Sequence, residues 1–332
     1  MEVVVIGAGA WGTTLAAVAT VNGPAVLWAR EREVVQAITE RQENTWFLPD
    51  VHLPDRLAVT DDLAAAVAGA ELVVVAVPSP YLGAVVAAAA PVIRPTAVVL
   101  SATKGLDEGT GRRMTEVIAD ALRDHDPSTI GTLSGPNLAR EVMAEHPAAA
   151  CVAFPDEAVA ATVQRRLATA RFRLYTGTDV IGCEIAGVFK NVVAIAAGVA
   201  DALGYGMNTT AALVSRGLAE LSRLGVAMGG EAITFLGLAG VGDLMATCGS
   251  PLSRNHQLGT QLVEDSHLEE LQPARSVAEG ANSARPLLEL ASRCGVELPI
   301  CEVVALLLAG SCTPLEAVER LMSRPPTAEH RP

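Results

Sequence analysis

One lysine, Lys190, lies in the middle of an apolar segment, AGVFKNVVAIAAG at 186–198, whose pattern predicts a buried helix. Among the 24 lysines and arginines of the chain, only Lys104 and Lys190 are lysines. Desolvation lowers the pKa of an ammonium group, so a lysine in such a place can exchange a proton near neutral pH, whereas an arginine stays charged. We therefore expect Lys190 to act as an acid or base beside a cavity. The alternative is a lysine whose long side chain reaches solvent past the apolar face.

The second lysine, Lys104, follows the predicted strand AVVLS at 97–101. Ligands bind at the carboxyl ends of the strands in open parallel sheets. Lys104 is therefore expected to contact a phosphate, a carbonyl oxygen or the nicotinamide side of a cofactor. The alternative is a lysine in a surface loop.

Three polar turns supply further candidate site residues. SGPNLA at 134–139 follows a predicted strand, although these residue types also suit an ordinary turn. Asp243, in GVGDL, could hold Lys190 or a substrate hydroxyl, or cap the next helix. CGSPLSRNHQLG at 248–259 places an arginine at a helix start, which is either an anion site or a solvated helix end. The candidates from the three turns are Ser134, Gly135, Asn137, Asp243, Ser253, Arg254 and Asn255.

A glycine motif at the start of the chain predicts a dinucleotide site. VVVIGAGAWGTTLA at 3–16 leaves an apolar strand and enters a helix with Gly7, Gly9 and Gly12 in GxGxxG spacing. These glycines suit a tight turn, a close approach of the backbone to a pyrophosphate and close packing of the helix, respectively. The alternative is a plain glycine-rich turn between a strand and a helix.

The second strand, in AVLWARER at 25–32, bears on the choice of cofactor. It ends in Arg30, which can pair with a 2′-phosphate, while the neighbouring Glu31 could instead accept a hydrogen bond from the ribose. We therefore expect NADPH to be preferred, with NAD possible as a cofactor.

The elements that must position these residues fall into two parts. Apolar strands alternate with helical stretches in the first half, which predicts a parallel sheet covered on both faces. From 179 onward the strand patterns end, long helical patterns take over, and a glycine-rich link is expected at 235–244. The predicted fold is α/β: an N-terminal Rossmann-type parallel sheet domain at 1–178, an all-helical substrate-binding domain at 179–323, and a disordered tail at 324–332. The predicted strands cover 3–7, 25–29, 72–77, 97–101, 129–133, 149–153 and 172–175, and the predicted helices cover 179–202, 208–226, 253–264, 283–294, 299–309 and 314–322.

The composition excludes several function classes. Half of the residues are hydrophobic, and the net charge of −13 argues against sequence-independent binding of nucleic acid. We expect no membrane span, because no apolar run reaches the roughly 18–20 residues required, and no cleaved signal, because a strand begins at once. The six cysteines form no CxxC and have no histidines at metal spacing, so we interpret them as buried apolar side chains in a reducing cytosol and expect no metal.

Nine short segments occur in order over nearly the whole chain: GAGAWGTTLA, FLPD, VPS, ATKGL, SGP, VFKNVVAIAAG, RGLAEL, GLAGVGDL and SRN. Together they resemble the bacterial NAD(P)-dependent glycerol-3-phosphate dehydrogenase family. The resemblance implies a cytoplasmic oxidoreductase that interconverts sn-glycerol 3-phosphate and dihydroxyacetone phosphate and supplies glycerol phosphate for phospholipid synthesis. We expect the enzyme to be a homodimer.

The resemblance also implies a role for each matching residue. Lys190 would exchange the proton at the C2 oxygen of the substrate. The implied substrate contacts are Lys104, Gly135, Asn137, Lys190, Asp243, Ser253, Arg254 and Asn255. The implied cofactor contacts are Gly7, Gly9, Ala10, Trp11, Gly12, Arg30, Lys104, Ala139, Arg254, Val277 and Glu279. This chain has Asn137 and Leu138 where the family usually has Ser or Thr followed by Phe.

Two other functions remain open from the sequence. One is a reductase of the same architecture that acts on an unphosphorylated keto acid, as in ketopantoate reductase-like proteins. Lys104, Arg254 and Asn255 speak against it, because a carboxylate needs fewer cationic partners than a phosphate. The other is a non-catalytic dinucleotide sensor, which would gain nothing from a lysine with a perturbed pKa.

Overall fold

An eight-stranded sheet organises the first half of the chain in the computed structural model, which describes residues 2–264, 278–326 and 328–329. The strands are β1 (Val3–Ile6), β2 (Ala25–Trp28), β3 (Glu43–Asn44), β4 (Leu48–His52), β5 (Ala58–Thr60), β6 (Leu72–Val75), β7 (Val98–Ser101), β8 (Ile130–Ser134), β9 (Ala148–Ala153) and β10 (Phe172–Gly177). Their order across the sheet is β10-β9-β8-β7-β6-β1-β2-β5, and β3 and β4 form a separate hairpin.

Helices cover both faces of this sheet, as the continuous apolar strands predict. Every residue of β1 and β6 is buried, and their alternate side chains enter two different hydrophobic clusters. A strand with both faces buried requires a helical layer on each side. The helices of this half are α1 (Ala10–Ala19), α2 (Arg32–Arg41), α3 (Leu63–Val67), α4 (Ser79–Ala89), α5 (Met114–Ala121), α6 (Ala139–Met143) and α7 (Glu157–Leu167).

The predicted fold class is confirmed, with two differences in the sheet. The pairing of β8 with β9 is antiparallel, so β9 and β10 run against the other strands. An apolar run indicates burial on both faces but carries no signal for the direction of the neighbouring strand. The short β5 and the β3–β4 hairpin were not predicted, because their residues are mostly half-buried or exposed and lack a continuous apolar pattern.

The second half is helical, as expected. Its helices are α8 (Val180–Ala202), α9 (Met207–Ala227), α10 (Ala232–Phe235), α11 (Asp243–Gly249), α12 (Arg254–Glu264), α13 (Glu279–Cys294), α14 (Pro299–Leu308) and α15 (Pro314–Met322). The prediction of a link at 235–244 is wrong, because Leu238–Gly242 forms a π-helical turn that leads into α11. Gly240 permits this turn, since a Cβ there would come 2.0 Å from the carbonyl oxygen of Phe235. The domain limits stay a prediction, and the predicted tail lies partly outside the described residues.

Helix α8 is the centre of this half. Nearly all of its residues are buried, and it packs against α9, α11, α12 and α13. Two glycines let α12 come close to it: a Cβ on Gly198 would lie 2.0 Å from the carbonyl oxygen of His256, and one on Gly259 would lie 2.1 Å from that of Ile195. This close crossing brings the start of α12 to the middle of α8.

Two helical stretches among the described residues are long and apolar enough to cross a membrane by length and composition. Val180–Ala202 is 89% buried inside the protein, and Ala232–Gly249 is 39% buried. They are weak evidence for a membrane span, because the core helix of a soluble protein passes the same test.

Candidate active site

An ion cluster of two lysines and one aspartate lies between α8, α11 and the end of β7. The Nζ atom of Lys190 is 2.7 Å from Oδ1 of Asp243, and the Nζ atom of Lys104 is 2.6 Å from Oδ2 of the same carboxylate. Asp243 is 1% exposed and Lys190 is 8% exposed. The surface alternatives for both lysines are therefore excluded, because each ammonium group is paired inside the protein.

Burial and mutual charge set the protonation of this cluster. Burial, with a smaller contribution from the nearby Lys190, lowers the pKa of Lys104 to about 8, although Asp243 opposes the shift. Burial acting alone would raise the pKa of Asp243, but the two ammonium groups outweigh it and hold that pKa below its usual value. With both lysines protonated the cluster carries one net positive charge, which suits a bound anion or a developing alkoxide.

Thr247 completes the surroundings of Lys190. Its hydroxyl accepts a hydrogen bond from Lys190 Nζ at 2.7 Å and donates one to the carbonyl oxygen of Asp243 at 2.7 Å. Sequence reasoning missed this residue. A threonine four positions after Asp243 lies on the same helix face, but the signal was hidden because no helix was predicted at 243–249.

Lys104 has a second set of partners in the loop after β8. It donates to the side-chain oxygen of Asn137 at 3.0 Å and to the carbonyl oxygen of Gly135 at 3.2 Å. Gly135 has a φ of +146°, and a Cβ there would lie 2.8 Å from Cα of Ala150. Asn137 Nδ2 and Ser134 Oγ are buried without a hydrogen-bond partner among the described residues, so both polar groups are available to a ligand.

The two lysines differ in how many of their N–H donors are already paired. An ammonium group has three donors. Those of Lys104 are matched by Asp243, Asn137 and Gly135, whereas Lys190 has two partners among the described residues, Asp243 and Thr247. Lys190 therefore keeps one donor for an oxygen of a ligand.

The start of α12 contacts Asn191, the residue that follows Lys190 on α8. Asn255 donates to the side-chain oxygen of Asn191 at 2.9 Å and accepts from the backbone N–H of Gly280 at 2.9 Å. Ser253 accepts a hydrogen bond from the backbone of His256 at 3.3 Å and so caps the helix. The predicted residues Ser253 and Asn255 thus lie at a helix start that is bound to α8, the helix that carries Lys190.

Arg254 is the first residue of α12, at the same helix start. The surrounding protein desolvates its guanidinium and lowers its pKa, and Glu279 opposes the shift. Glu279 accepts from the hydroxyl of Ser79 at 2.9 Å, and burial raises the pKa of this carboxyl despite that bond. The helical half therefore meets α4 of the sheet domain through a glutamate, with an arginine nearby.

The glycine turn has the geometry that a dinucleotide requires. Gly7 has a φ of +110°, and a Cβ on Gly12 would lie 1.9 Å from the carbonyl oxygen of Gly7, whereas nothing lies within 4 Å of a Cβ on Gly9. The open face at Gly9 leads to the start of α1, where backbone N–H groups can bind a pyrophosphate. Trp11 contributes a buried indole N–H without a described partner. The turn therefore fits a dinucleotide.

A row of contacts joins this turn to the lysines along the carboxyl edge of the sheet. Gly7 packs on Ala76 at the end of β6, and Ser79 begins α4 three residues later. A Cβ on Gly105 would lie 2.4 Å from the hydroxyl of Ser79, and Gly105 follows Lys104. The glycine turn, the start of α4 and Lys104 thus lie along one edge of the sheet.

The remaining predicted residues have the following places. Arg30 is exposed and pairs with Glu31 at 2.6 Å, while the neighbouring Arg32 pairs with Asp61. Ala10 begins α1 and Ala139 begins α6, which packs on α1. Val277 lies outside the described residues. In the part of the chain that the structure describes, no group of three His, Cys, Asp or Glu side chains is arranged to hold a metal.

Comparison with known proteins points to one family over both halves of the chain. The model of the NAD-dependent glycerol-3-phosphate dehydrogenase N-terminus matches residues 2–160, and the model of the C-terminus matches residues 179–319. A protein of Frankia casuarinae named glycerol-3-phosphate dehydrogenase (NAD(P)+) is 48% identical over 98% of this chain and 98% of its own length.

Solved structures agree with this similarity. A crystal structure of glycerol-3-phosphate dehydrogenase from Coxiella burnetii has a TM-score of 0.91 at 35% identity and covers 97% of this chain and 99% of its own. A ketopantoate reductase from Ralstonia eutropha has a TM-score of 0.58 at 16% identity, with 97% and 100% covered. The second likeness extends to the fold alone.

Proposed function

The chain belongs to the NAD-dependent glycerol-3-phosphate dehydrogenase family, and we propose that it interconverts sn-glycerol 3-phosphate and dihydroxyacetone phosphate with Lys190 as the proton-exchanging group. NAD and NADP are both cofactors of named relatives in this family. The observation that carries the assignment is the buried Lys190 ammonium, which is held by Asp243 and Thr247 and keeps one donor.

A nicotinamide dinucleotide, held at the glycine turn of Gly7, Gly9 and Gly12, would supply or accept the hydride at C2 of the substrate. In the reducing direction the remaining N–H of Lys190 donates to the C2 oxygen and then transfers its proton, while Asp243 stabilises the charged lysine beforehand. In the oxidising direction the neutral amine takes the proton back. The hydrogen bond to Thr247 fixes the position of Lys190 Nζ and so orients its remaining N–H toward the substrate.

Lys104 has a different role from Lys190. All three of its donors are occupied, and its charge lies across the Asp243 carboxylate from Lys190. It stabilises negative charge on the substrate by its field, or directly when a substrate oxygen replaces Asn137 or Gly135 as its partner. The unpartnered amide of Asn137 is a further donor to the substrate in this chain.

The reaction is tested by the oxidation of NADPH with three additions to the purified chain: dihydroxyacetone phosphate, ketopantoate, and no substrate. We expect turnover with dihydroxyacetone phosphate alone. Turnover with ketopantoate would favour a keto-acid reductase, and binding of NADPH without turnover would favour a sensor.

Arg254 is the proposed anchor of the substrate phosphate, because it is the first residue of α12, where an arginine and the backbone N–H groups of a helix start both favour an anion. Arg254→Ala is expected to raise KM for dihydroxyacetone phosphate about 10- to 100-fold, since a charge-assisted pair is lost, and to change kcat less. The matched control is Arg285→Ala, which removes an exposed arginine paired with Glu289. An unchanged KM would place the phosphate elsewhere.

For the cofactor, Gly7, Gly9, Gly12, Ala10 and Trp11 would hold the pyrophosphate, and Glu279 and Ala139 would line the remainder of the site. We propose that NADPH is preferred because Arg30 and Arg32 both follow β2, at the place where the ribose of a dinucleotide would lie.

The KM values for NADPH and NADH test whether Arg30 binds the 2′-phosphate. Arg30→Ala is expected to raise KM for NADPH about tenfold and to leave KM for NADH nearly unchanged, because only NADPH carries the 2′-phosphate. Arg41→Ala, at the exposed end of α2, is the control. Equal KM values for both cofactors in the unmodified enzyme would remove Arg30 from this role.

We propose that two copies of the chain form a homodimer through exposed apolar side chains of the helical half. Ile233 is 68% exposed, Leu236 is 64% exposed and Met245 is 60% exposed, all within a stretch that is mostly unburied. Clustered exposed apolar side chains are typical of interfaces. Light scattering should give twice the chain mass for the unmodified protein and a monomer for Leu236→Asp; a monomeric unmodified protein would refute the dimer.

Family membership supports two more parts of the proposal. We propose that the enzyme is cytoplasmic and that it supplies glycerol phosphate for phospholipid synthesis.

A further inference from the structure

Two cysteines face each other where the sheet meets the catalytic helix. Cys151 lies on β9 and Cys183 lies in the first turns of α8, and their sulfur atoms are 3.9 Å apart. Both are free thiols, and neither belongs to the site described above. A disulfide bond needs a sulfur separation of about 2.05 Å, so a side-chain movement of about 2 Å would join them.

Cys151 differs from the fully buried cysteines of the chain. The hydrogen bond to Cys151 and burial raise the pKa of the Cys183 thiol well above its usual value, so Cys151 is the sulfur that reacts first. Burial raises the pKa of Cys248 to about 12 and the pKa of Cys301 well above its usual value, so both are poor nucleophiles. The Cys151 thiol is half-buried, and its pKa is lowered because the Cys183 thiol donates a hydrogen bond to it. A thiolate that solvent can reach is the form that reacts with oxidants.

Helix α8 also favours a negative charge at this place. Its first residue is Val180, so the pair lies near the positive end of the dipole of a 23-residue helix. Asp179 and Glu184 act against a thiolate by their charge. Each has partners of its own: Asp179 accepts from the N–H of Gly182, and Glu184 pairs with Arg113.

The two thiols are linked to the active site on both sides. Cys151 is the strand partner of Ser134, which precedes Gly135 in the loop that contacts Lys104. Cys183 lies seven residues before Lys190, which places the two side chains on the same face of α8. A bond between the sulfurs would therefore shift the lysine helix relative to the loop that holds Lys104.

We propose that Cys151 and Cys183 form a dithiol that hydrogen peroxide oxidises to a reversible disulfide between β9 and α8, and that this bond lowers the turnover of the enzyme. The effect on turnover rests on the proposed function, whereas formation of the disulfide does not. Transient disulfides of this kind are the ones that occur in reducing compartments.

The reaction has two steps. The Cys151 thiolate attacks one oxygen of the peroxide, the O–O bond breaks, and the other oxygen leaves as water after taking up a proton, which gives a sulfenic acid. The sulfur of Cys183 then attacks the sulfur of Cys151 and loses its proton, the S–O bond breaks, and the hydroxyl group leaves as water. The two thiols lose two electrons and two protons, and the peroxide is reduced to two waters.

Mass spectrometry tests the bond itself. The reduced full chain is treated with a small excess of hydrogen peroxide, free thiols are alkylated, and the chain is cut with trypsin. Cleavage after arginine and lysine gives peptides 141–165 and 174–190, each with one cysteine. We expect these peptides to be linked with the loss of two hydrogens and to separate with dithiothreitol. Absence of the linked pair while other thiols are oxidised would overturn the proposal.

Turnover is measured with dihydroxyacetone phosphate and NADPH on portions of the peroxide-treated chain taken before alkylation and digestion. We expect a fall of at least about tenfold that dithiothreitol reverses, because small displacements at an active site are costly. Cys151→Ser and Cys183→Ser should each keep their turnover under peroxide, whereas Cys294→Ser and Cys312→Ser, at half-buried cysteines elsewhere, should lose it as the unmodified chain does.

The outcomes are distinguishable. A linked pair that leaves turnover unchanged would overturn the regulatory part of the proposal. If Cys183→Ser fails to fold, the unmodified chain and Cys151→Ser still decide the outcome. A reduced chain without activity on dihydroxyacetone phosphate would overturn the proposed function, and the linked peptides would still decide whether the dithiol exists.

Discussion

Lys190→Met is expected to lower kcat by about 10³-fold while KM for dihydroxyacetone phosphate changes by less than about tenfold. Methionine keeps the length and apolar stem of the side chain but has no proton to exchange. The lost ammonium group also no longer balances Asp243, although Lys104 still pairs with that carboxylate. Steady-state kinetics in both directions measure the effect.

Lys190→Arg is the matched control for this result. Arginine keeps the positive charge beside Asp243 but does not release its proton in proteins. If proton exchange is the main role, the arginine variant should be nearly as slow as the methionine variant. Turnover of the methionine variant within tenfold of the unmodified enzyme would contradict the assignment, and a melting curve excludes simple unfolding.

Asp243→Asn is expected to have the second-largest effect, with kcat lower by about 10²- to 10³-fold. Asparagine has nearly the same shape but leaves two buried ammonium groups without a counter-charge. Burial already lowers the pKa of Lys104 to about 8, and the negative charge of Asp243 opposes this shift. Removing the charge of Asp243 should lower the pKa of Lys104 further. In the profile of kcat/KM, the step caused by deprotonation of Lys104 should therefore move to lower pH.

The same substitution should destabilise the fold by about 3–5 kcal/mol, as when one partner of a buried ion pair is removed. In the variant the folded pKa of Lys104 lies further below its unfolded value, so the unfolded state binds more protons and the stability rises with pH. The gap to the unmodified enzyme should narrow as the pH rises toward 8. Urea denaturation at several pH values measures this.

Asp120→Asn is the control for charge removal, because Asp120 is exposed and pairs with Arg112 at the surface. It should change neither the kinetics nor the stability appreciably. An Asp243→Asn variant with the stability and pH profile of the unmodified enzyme would show that the lysines do not depend on this carboxylate.

The predictable parts of the site are those that depend on near neighbours in the chain. The GxGxxG spacing between a strand and a helix predicted the glycine turn, and the apolar neighbours of Lys190 predicted that its helix is buried. Thr247 was not predicted, because its partner Lys190 is 57 residues away in the chain. A local pattern carries no information about such a pair.

The sequence by itself determined the alternation of strands and helices, the glycine turn and the burial of Lys190, because periodicity and residue type fix which face of an element leaves water. The tertiary structure alone decided the direction of β9 and the meeting of Lys104, Asp243 and Lys190. The carboxylate reaches both lysines because α8 lies against α11 and against β8, the strand next to β7, and Lys104 follows β7. The physical reason is packing: which distant side chains pair depends on how closely whole elements approach, and the backbone contacts at Gly198, Gly240 and Gly259 set that approach.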